Sequence, residues 1–295
     1  LPNLVKISAM HLNLWLVAGL FLILAAFGTV VFGRKQAVGL RVVSWNIRYD
    51  NPGDGEHRWA FRKARVIQYL RQQSPDVVGL QEVLHGQLRE LDTVFSDRYS
   101  WVGVGRDDGH EAGEFSPVGY NHHKLELLQQ GTLWLSETPG QPSKGWDAAL
   151  PRICSWAQFR HKTEKREFWV FNTHFDHAGL LARQKSAQLL ADSFPAWCQG
   201  QAVLLMGDFN EGPDGAVVRH LLLAGLTDSR LVAEAVLGST QTYHGFKKQP
   251  GTGSRIDYIF YQGWPGVGLY EVPLLADEKG HYASDHAPVV VEMKW

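Results

Sequence analysis

The chain has 295 residues, 44% of them hydrophobic, with a formal net charge of -1 and a pI near 7.0. That balance shows no global basic field, which counts against a protein that grips long nucleic acid, although a local patch stays open. Cys154 and Cys198 are too few for a disulfide framework and have no zinc-site spacing around them. They read as buried free thiols, with a single disulfide as the alternative.

No charged residue lies between Lys6 and Arg34, and Leu12 to Phe32 is almost wholly apolar. At 1.5 Å per residue this stretch spans about 30 Å, the thickness of a bilayer's hydrocarbon core. It reads as an uncleaved membrane anchor. A signal peptide cut near Ala26-Phe27-Gly28, giving a secreted or periplasmic protein, is the competitor. Residues 1–39 are therefore an anchor or signal segment, and 40–295 form a domain of ordinary single-core size. Basic residues flank the stretch on both sides, so the side of the membrane stays open, with a slight bias toward a cytoplasmic domain.

From residue 40 onward, apolar runs that end in polar, chemically capable residues recur along the chain. Leu40 to Asn46 ends in an amide, and Asp76 to Glu82 in a carboxylate. Between them, Trp59 to Gln73 carries Val66, Ile67 and Leu70 at helical spacing, with Arg62, Lys63, Arg65 and Arg71 assigned to a solvated face. Gly131 to Pro151, rich in Pro and Gly, reads as a rim loop. Phe168 to Asp176 ends in His174 and Asp176, and Leu180 to Phe194 is a second helix. Ala202 to Leu205 is a buried strand closing on Met206-Gly207-Asp208-Phe209-Asn210, and Gly215 to Ala224 is a third helix. Ser254 to Phe260 precedes Ser284-Asp285-His286, itself followed by the strand 289–291. Strands interleaved with helices and hairpin-like stretches predict mixed sheets rather than a pure parallel one.

Each polar strand end, alone, is an ordinary turn or a satisfied core residue. Five in one domain point to a site. An acid and an amide two residues apart share a face, and together they can hold a water, a hard cation and a phosphate oxygen. Glu82 is the best candidate ligand for Mg2+ or Mn2+, which prefer carboxylates and keep several waters.

The ordered set Trp45-Asn46, Gln81-Glu82, Thr173-His174, Gly207-Asp208-Phe209-Asn210, Arg255-Ile256-Asp257-Tyr258 and Ser284-Asp285-His286 resembles the endonuclease/exonuclease/phosphatase superfamily over roughly residues 40 to 295. The resemblance implies an α/β four-layer sandwich, two packed mixed β-sheets flanked by helices. It implies Asn46, Glu82 and Asp285 at a metal site for Mg2+ or Mn2+. It implies His174, Asp208, Asn210, Asp257 and His286 as catalytic residues, with Asp257 orienting His286. Which of Asp208 and His286 takes the proton of the attacking water stays open. Arg152, Arg48 and Asp107 are candidate substrate contacts in segments that resemble a bacterial subgroup of the superfamily.

No basic, aromatic-interleaved insertion suited to a DNA backbone is visible, and no multi-lysine inositol-phosphate clamp. The expectation is a metal-dependent phosphoesterase, monomeric, acting on a phosphorylated sugar, a phospholipid headgroup or a similar small phosphoester. A nuclease is the alternative enzyme, and a membrane-tethered domain that binds a phosphate ligand without catalysis is the alternative outside enzymes.

Overall fold

The computed structural model describes residues 39–247 and 253–295. The apolar segment 12–32 lies outside the described residues, and among those described no helix is long and apolar enough to cross a membrane.

In chain order, β1 (Leu40–Asn46) passes through a 3-10 turn (Pro52–His57) into α1 (Trp59–Gln73) and returns as β2 (Val77–Gln81). There follow β3 (Val83–Leu84), α2 (His85–Phe95), β4 (Tyr99–Val102), β5 (Glu114–Phe115), β6 (Val118–Asn121) and β7 (Leu125–Trp134). The middle of the chain supplies β8 (Ile153–His161), β9 (Glu167–His174), α3 (Leu180–Cys198), β10 (Ala202–Asp208) and α4 (Ala216–Leu223). The last third supplies β11 (Thr227–Asp228), α5 (Ser229–Val232), β12 (Ala235–Gly238), β13 (Asp257–Gln262), β14 (Val267–Val272) and β15 (Val289–Met293).

Besides the two-stranded β3-β5 ribbon there are two large sheets, one seven-stranded in the order β12-β14-β15-β1-β2-β6-β4 and one six-stranded in the order β11-β13-β10-β9-β8-β7. Both are mixed. Parallel pairs sit within each, β1 with β2 and β9 with β10, and antiparallel neighbours flank them. Strand alternation sorts the side chains into layers. Val42, Val77 and Val289 from one sheet meet Phe168, Val170, Leu204, Met206 and Ile259 from the other in the central core. The opposite face of the first sheet (Val43, Trp45, Val78, Leu80) packs on Val66, Leu70, Leu91 and Phe95 of α1 and α2. The opposite face of the second (Phe171, Val203, Leu205, Phe260) packs on Ala187, Leu190, Val217 and Leu221 of α3 and α4. Each such buried aliphatic or aromatic side chain contributes about 1.5–3 kcal/mol, so this four-layer order is strongly specified.

At Gly79 the first sheet leaves room for side chains of the second. A Cβ on Gly79 would lie 2.7 Å from the Asn172 side chain and from Met206 Cε. Asn172 fills that gap as a fully buried cross-sheet bridge: it donates to Leu80 O (2.8 Å) and Pro117 O (2.9 Å) and accepts from Gln81 Nε2 (2.7 Å).

Three local expectations need revising. The first residues of the supposed rim loop, Gly131 to Trp134, complete β7. α3 continues past Phe194, through Pro195, to Cys198. Arg62 is not on a solvated face: it is fully buried, whereas Lys63 pairs with Glu90 at the surface. Cys154 and Cys198 are free and buried.

Candidate active site

The inter-sheet face is apolar along most of its length and turns polar at the C-terminal ends of the parallel strands. On β1 the inward positions run Val42, Ser44, Asn46; on β9, Val170, Asn172, His174; on β10, Leu204, Met206, Asp208. Register brings the ends together: Asp208 lies opposite His174 on one side and Asp257 on the other, and Asn46 opposite Gln81. Strands fix these side chains at one mouth of the sandwich, where open α/β sheets commonly bind ligands. Gly207, at φ +148°, lets β10 press against β9, since a Cβ there would fall 2.0 Å from Thr173 O.

Asp208 is the hub. Its Oδ2 accepts from Asn46 Nδ2 (3.1 Å) and faces His174 Nε2 at 3.5 Å and His286 Nε2 at 3.7 Å. Its Oδ1 accepts from the backbone N–H of Asn210 (2.9 Å). The second Asn46 Nδ2 hydrogen goes to Glu82 Oε1 (3.0 Å), while Asn46 Oδ1 accepts from Arg48 N (3.0 Å). Asn46 therefore spaces two carboxylates. Glu82, Asn210 and Arg48 all hold left-handed backbone, at φ 60°, 50° and 57°. Such strain costs on the order of 1–3 kcal/mol each and clusters at functional sites.

The two histidines flanking Asp208 are held differently. His286 Nδ1 is 2.9 Å from Asp257 Oδ2, and Trp45 Nε1 donates to the His286 carbonyl (2.9 Å). Thr242 Oγ1 accepts from the N–H groups of Ile256 and Asp257, fixing the acid in turn. Burial works against charge on His286, but Asp257, with help from Asp208 and Asp285, pushes its pKa up to about 10. His174 has no such acid. The Asn210 amide donates to Phe175 O (2.9 Å) and faces His174 Nε2 at 3.0 Å, leaving Nδ1 at 4.0 Å from Glu114 Oε2 without a hydrogen-bond partner. Burial, then Arg152, His286 and Arg106, keeps His174 neutral well below the ordinary histidine range. Between them, burial and then the Asp257 charge raise Asp208 to about 7.

The endonuclease/exonuclease/phosphatase family model matches residues 43–286, from β1 through His286. The chain belongs to that family. It is similar to a mannosyl-6-phosphatase of Bacteroides thetaiotaomicron, with 36% identity and a TM-score of 0.81 over 87% of this chain and 100% of that one. An endonuclease/exonuclease/phosphatase of Bacteroides vulgatus superposes with a TM-score of 0.83 at 35% identity, over 87% and 98% of the two chains. An uncharacterised protein of Acanthamoeba polyphaga mimivirus is 29% identical over 167 residues, 52% of this chain and 60% of that protein. The two large mixed sheets with flanking helices are the fold of this family.

Within this family member the remaining candidates divide. Asp285 lies beside Ser284, whose hydroxyl donates to the Asn46 carbonyl (2.7 Å), and its charge acts on Arg48 together with that of Glu82. Arg48 forks onto Asp54 (2.9 and 3.0 Å) and stands 3.8 Å from Glu82. Arg152 is buried and bound to Asp176 (3.3 Å) and His177 (3.0 Å), neither exposed nor in a surface pair. Asp176 anchors the loop before β8 through the N–H groups of Ala149 and Leu150 and caps the turn into α3 through Ala178 and Gly179. Burial opposes its charge, yet those N–H groups and Arg152 hold its carboxyl far below the usual carboxylate range. Asp107 is half-exposed and meets Arg106 at 3.7 Å; among the described residues no hydrogen bond or ion pair joins it to Asp208, His174 or His286. Sequence reasoning assigned no role to Thr242, and Arg106 and Glu114 entered it only as members of the segments that resemble the bacterial subgroup. Arg106 and Glu114 stand in the charged stretch 106–114, the one signal present; nothing in the sequence marked Thr242.

Asp208, Asp257 and His286 place one ligand atom each within 4.8 Å of one another, a buried acidic-histidine cluster. His286 Nδ1 is already engaged by Asp257 there, at 2.9 Å. Glu82 is the freer carboxylate, accepting from Asn46 Nδ2 and, at 3.3 Å, from Tyr49 N.

Proposed function

We propose that this chain hydrolyses phosphate monoesters of sugars with the aid of Mg2+ or Mn2+. The observation that carries the proposal is the placement of Asp208 between a cationic and a neutral histidine at the mouth of the sandwich. The similarity to a mannosyl-6-phosphatase over that protein's whole length supports the substrate class. A chain net charge of -1 supports a small substrate rather than a nucleic acid.

The donor set fits a hard divalent cation, because Glu82, Asp208, Asp257 and Asp285 offer carboxylate oxygens and no thiolate. Glu82 and Asp285 would hold it, with Asn46 keeping Glu82 in place. Such an ion would supply positive charge against the negative charge that develops on the phosphate and the departing oxygen. The chain's own groups do the rest. Asp208, with its raised pKa, takes the proton of the attacking water. His286, cationic and aimed by Asp257, donates to a phosphate oxygen and steadies the charge gathering there. Asn210 holds His174 as an uncharged ring on the other flank, so that Asp208 does not face two cations, which would lower its pKa and weaken it as a base. In the same proposal the stretch Leu12 to Phe32 tethers the domain to a membrane.

The test is phosphate release from mannose 6-phosphate and from p-nitrophenyl phosphate, set against bis-p-nitrophenyl phosphate, with Mg2+ or Mn2+ and with excess EDTA. Monoester turnover that EDTA silences is expected. Turnover of the diester alone would overturn the monoester reading in favour of a nuclease or phospholipase. Full activity under EDTA would overturn the metal.

A further inference from the structure

Arg62 sits in the first turn of α1 and is fully buried. Its guanidinium donates to five carbonyl oxygens: Nε to His57 (2.7 Å), Nη1 to Ile47 and to Ala283 (3.2 Å), Nη2 to Arg48 and to Tyr49 (3.2 Å). Those carbonyls come from separate parts of the chain. Ile47 to Tyr49 directly follow Asn46; His57 ends the 3-10 turn; Ala283 directly precedes Ser284-Asp285-His286. No carboxylate is within ion-pair distance of Arg62 among the described residues, and Asp285 and Asp54 act on it through space. Beyond these carbonyls it meets the Trp59 ring, 5.4 Å from its centroid, and a buried cation without an ion pair is costly to desolvate.

The carbonyl of Arg48 shows what this cation holds in place. Arg48 holds left-handed backbone at φ 57°, and its carbonyl takes donors from both Arg62 and Gln87 Nε2 (3.1 Å). The same guanidinium reaches across to Ala283, whose neighbour Ser284 donates back to the Asn46 carbonyl (2.7 Å). The first and last loops of the site are thus closed into one ring of hydrogen bonds around a single side chain.

We infer that Arg62 is a positioning residue that clamps the Asn46–Tyr49 loop to the Ala283–His286 loop, so that the Glu82 and Asp208 side of the site and the Asp285-His286 side keep one geometry. Its kinetic consequence rests on the phosphoesterase reading; its structural consequence does not. Lysine keeps the charge but has a compact head that cannot span the same carbonyls.

In hydrogen exchange of the full-length wild-type protein across sub-denaturing guanidinium, amides of 46–49 and 283–286 should open as one unit with a shared denaturant dependence. In Arg62→Lys both segments should exchange at least about tenfold faster, together, with β10 unchanged. On p-nitrophenyl phosphate with Mn2+, the variant should lose kcat by about 30-fold with KM changed less than about threefold, the pattern of misplaced groups rather than lost binding. Separate denaturant dependences for the two loops in the wild type, or faster exchange in one loop only, would overturn the clamp. So would a kcat within about twofold of wild type. If Arg62→Lys does not fold, the wild-type exchange decides alone; if the wild type turns over no phosphoester, the exchange results still decide the clamp while the activity reading fails separately.

Discussion

The two flanks of Asp208 use the same residue type at nearly the same distance and reach opposite charge states. Burial works against charge on both rings. At His286, 3.7 Å away, Asp257 at the far nitrogen outweighs it and raises the pKa to about 10. At His174, 3.5 Å away, Arg152, His286 and Arg106 add to it, and Glu114 stands 4.0 Å from the far nitrogen, out of hydrogen-bond reach. The group behind each imidazole, rather than the imidazole itself, sets its role. A strand end can therefore hold two histidines against one carboxylate and still leave that carboxylate able to accept a proton.

The comparison breaks most visibly at its centre. Asp208→Asn should lower kcat by at least about 10³-fold while leaving the fold intact, since it removes the base from between the flanks. A near-normal rate would shift the base elsewhere. Asp257→Asn should make the His286 flank behave like the His174 flank, lowering kcat about 10²-fold. The pH profile gives the sign: the imidazolium is present below its pKa and lost above it. Wild-type activity should persist toward pH 10, and the alkaline limb of Asp257→Asn should fall back toward neutrality. Asn210→Ala frees His174 and removes both neutral hydrogen bonds of the amide, to His174 and to Phe175 O, for a loss of about tenfold with the alkaline limb unmoved.

The smallest effect is on stability. Asp208 is raised in the fold from 3.8 to about 7, so the native state holds an extra proton across that window and loses stability as pH rises through it. In EDTA, Asp208→Asn should therefore raise Tm at pH 8, by about 2–4 °C for each kcal/mol recovered, and leave it unchanged near pH 3. A lower Tm at pH 8 would mean that the ionised carboxylate is well paired.

Much of this site was legible in the sequence because β alternation is local. Once Leu204 and Met206 face inward, Asp208 must also, and the same holds for Asn172 with His174 and Ser44 with Asn46. The four-layer order came from the family resemblance, not from any single run. Arg62 stands four and eight residues before Val66 and Leu70, on the face that α1 buries, so its spacing marked it and only its charge sent it to the solvated face. The ring of carbonyls around it, made by the return of residue 283 to the start of α1, is recorded by no local pattern. Arg152 and Asp176 belong to the same class. Their pairing is set by how β8 meets β9, 24 residues apart in sequence, and no local pattern records it. Asp107 is a turn residue in a Gly-rich loop, packed beneath Gly113 at φ 80°.

The measurement that reaches the central claim most directly is long-range 15N–1H NMR of the histidine rings in the metal-free protein, with His286→Gln and His174→Gln used for assignment. At pH 8, His286 should carry protons on both ring nitrogens while His174 shows one protonated and one bare nitrogen, and His174 should stay neutral as the pH falls to 5. A neutral His286 beside a cationic His174 would contradict the account and exchange the roles of the two flanks.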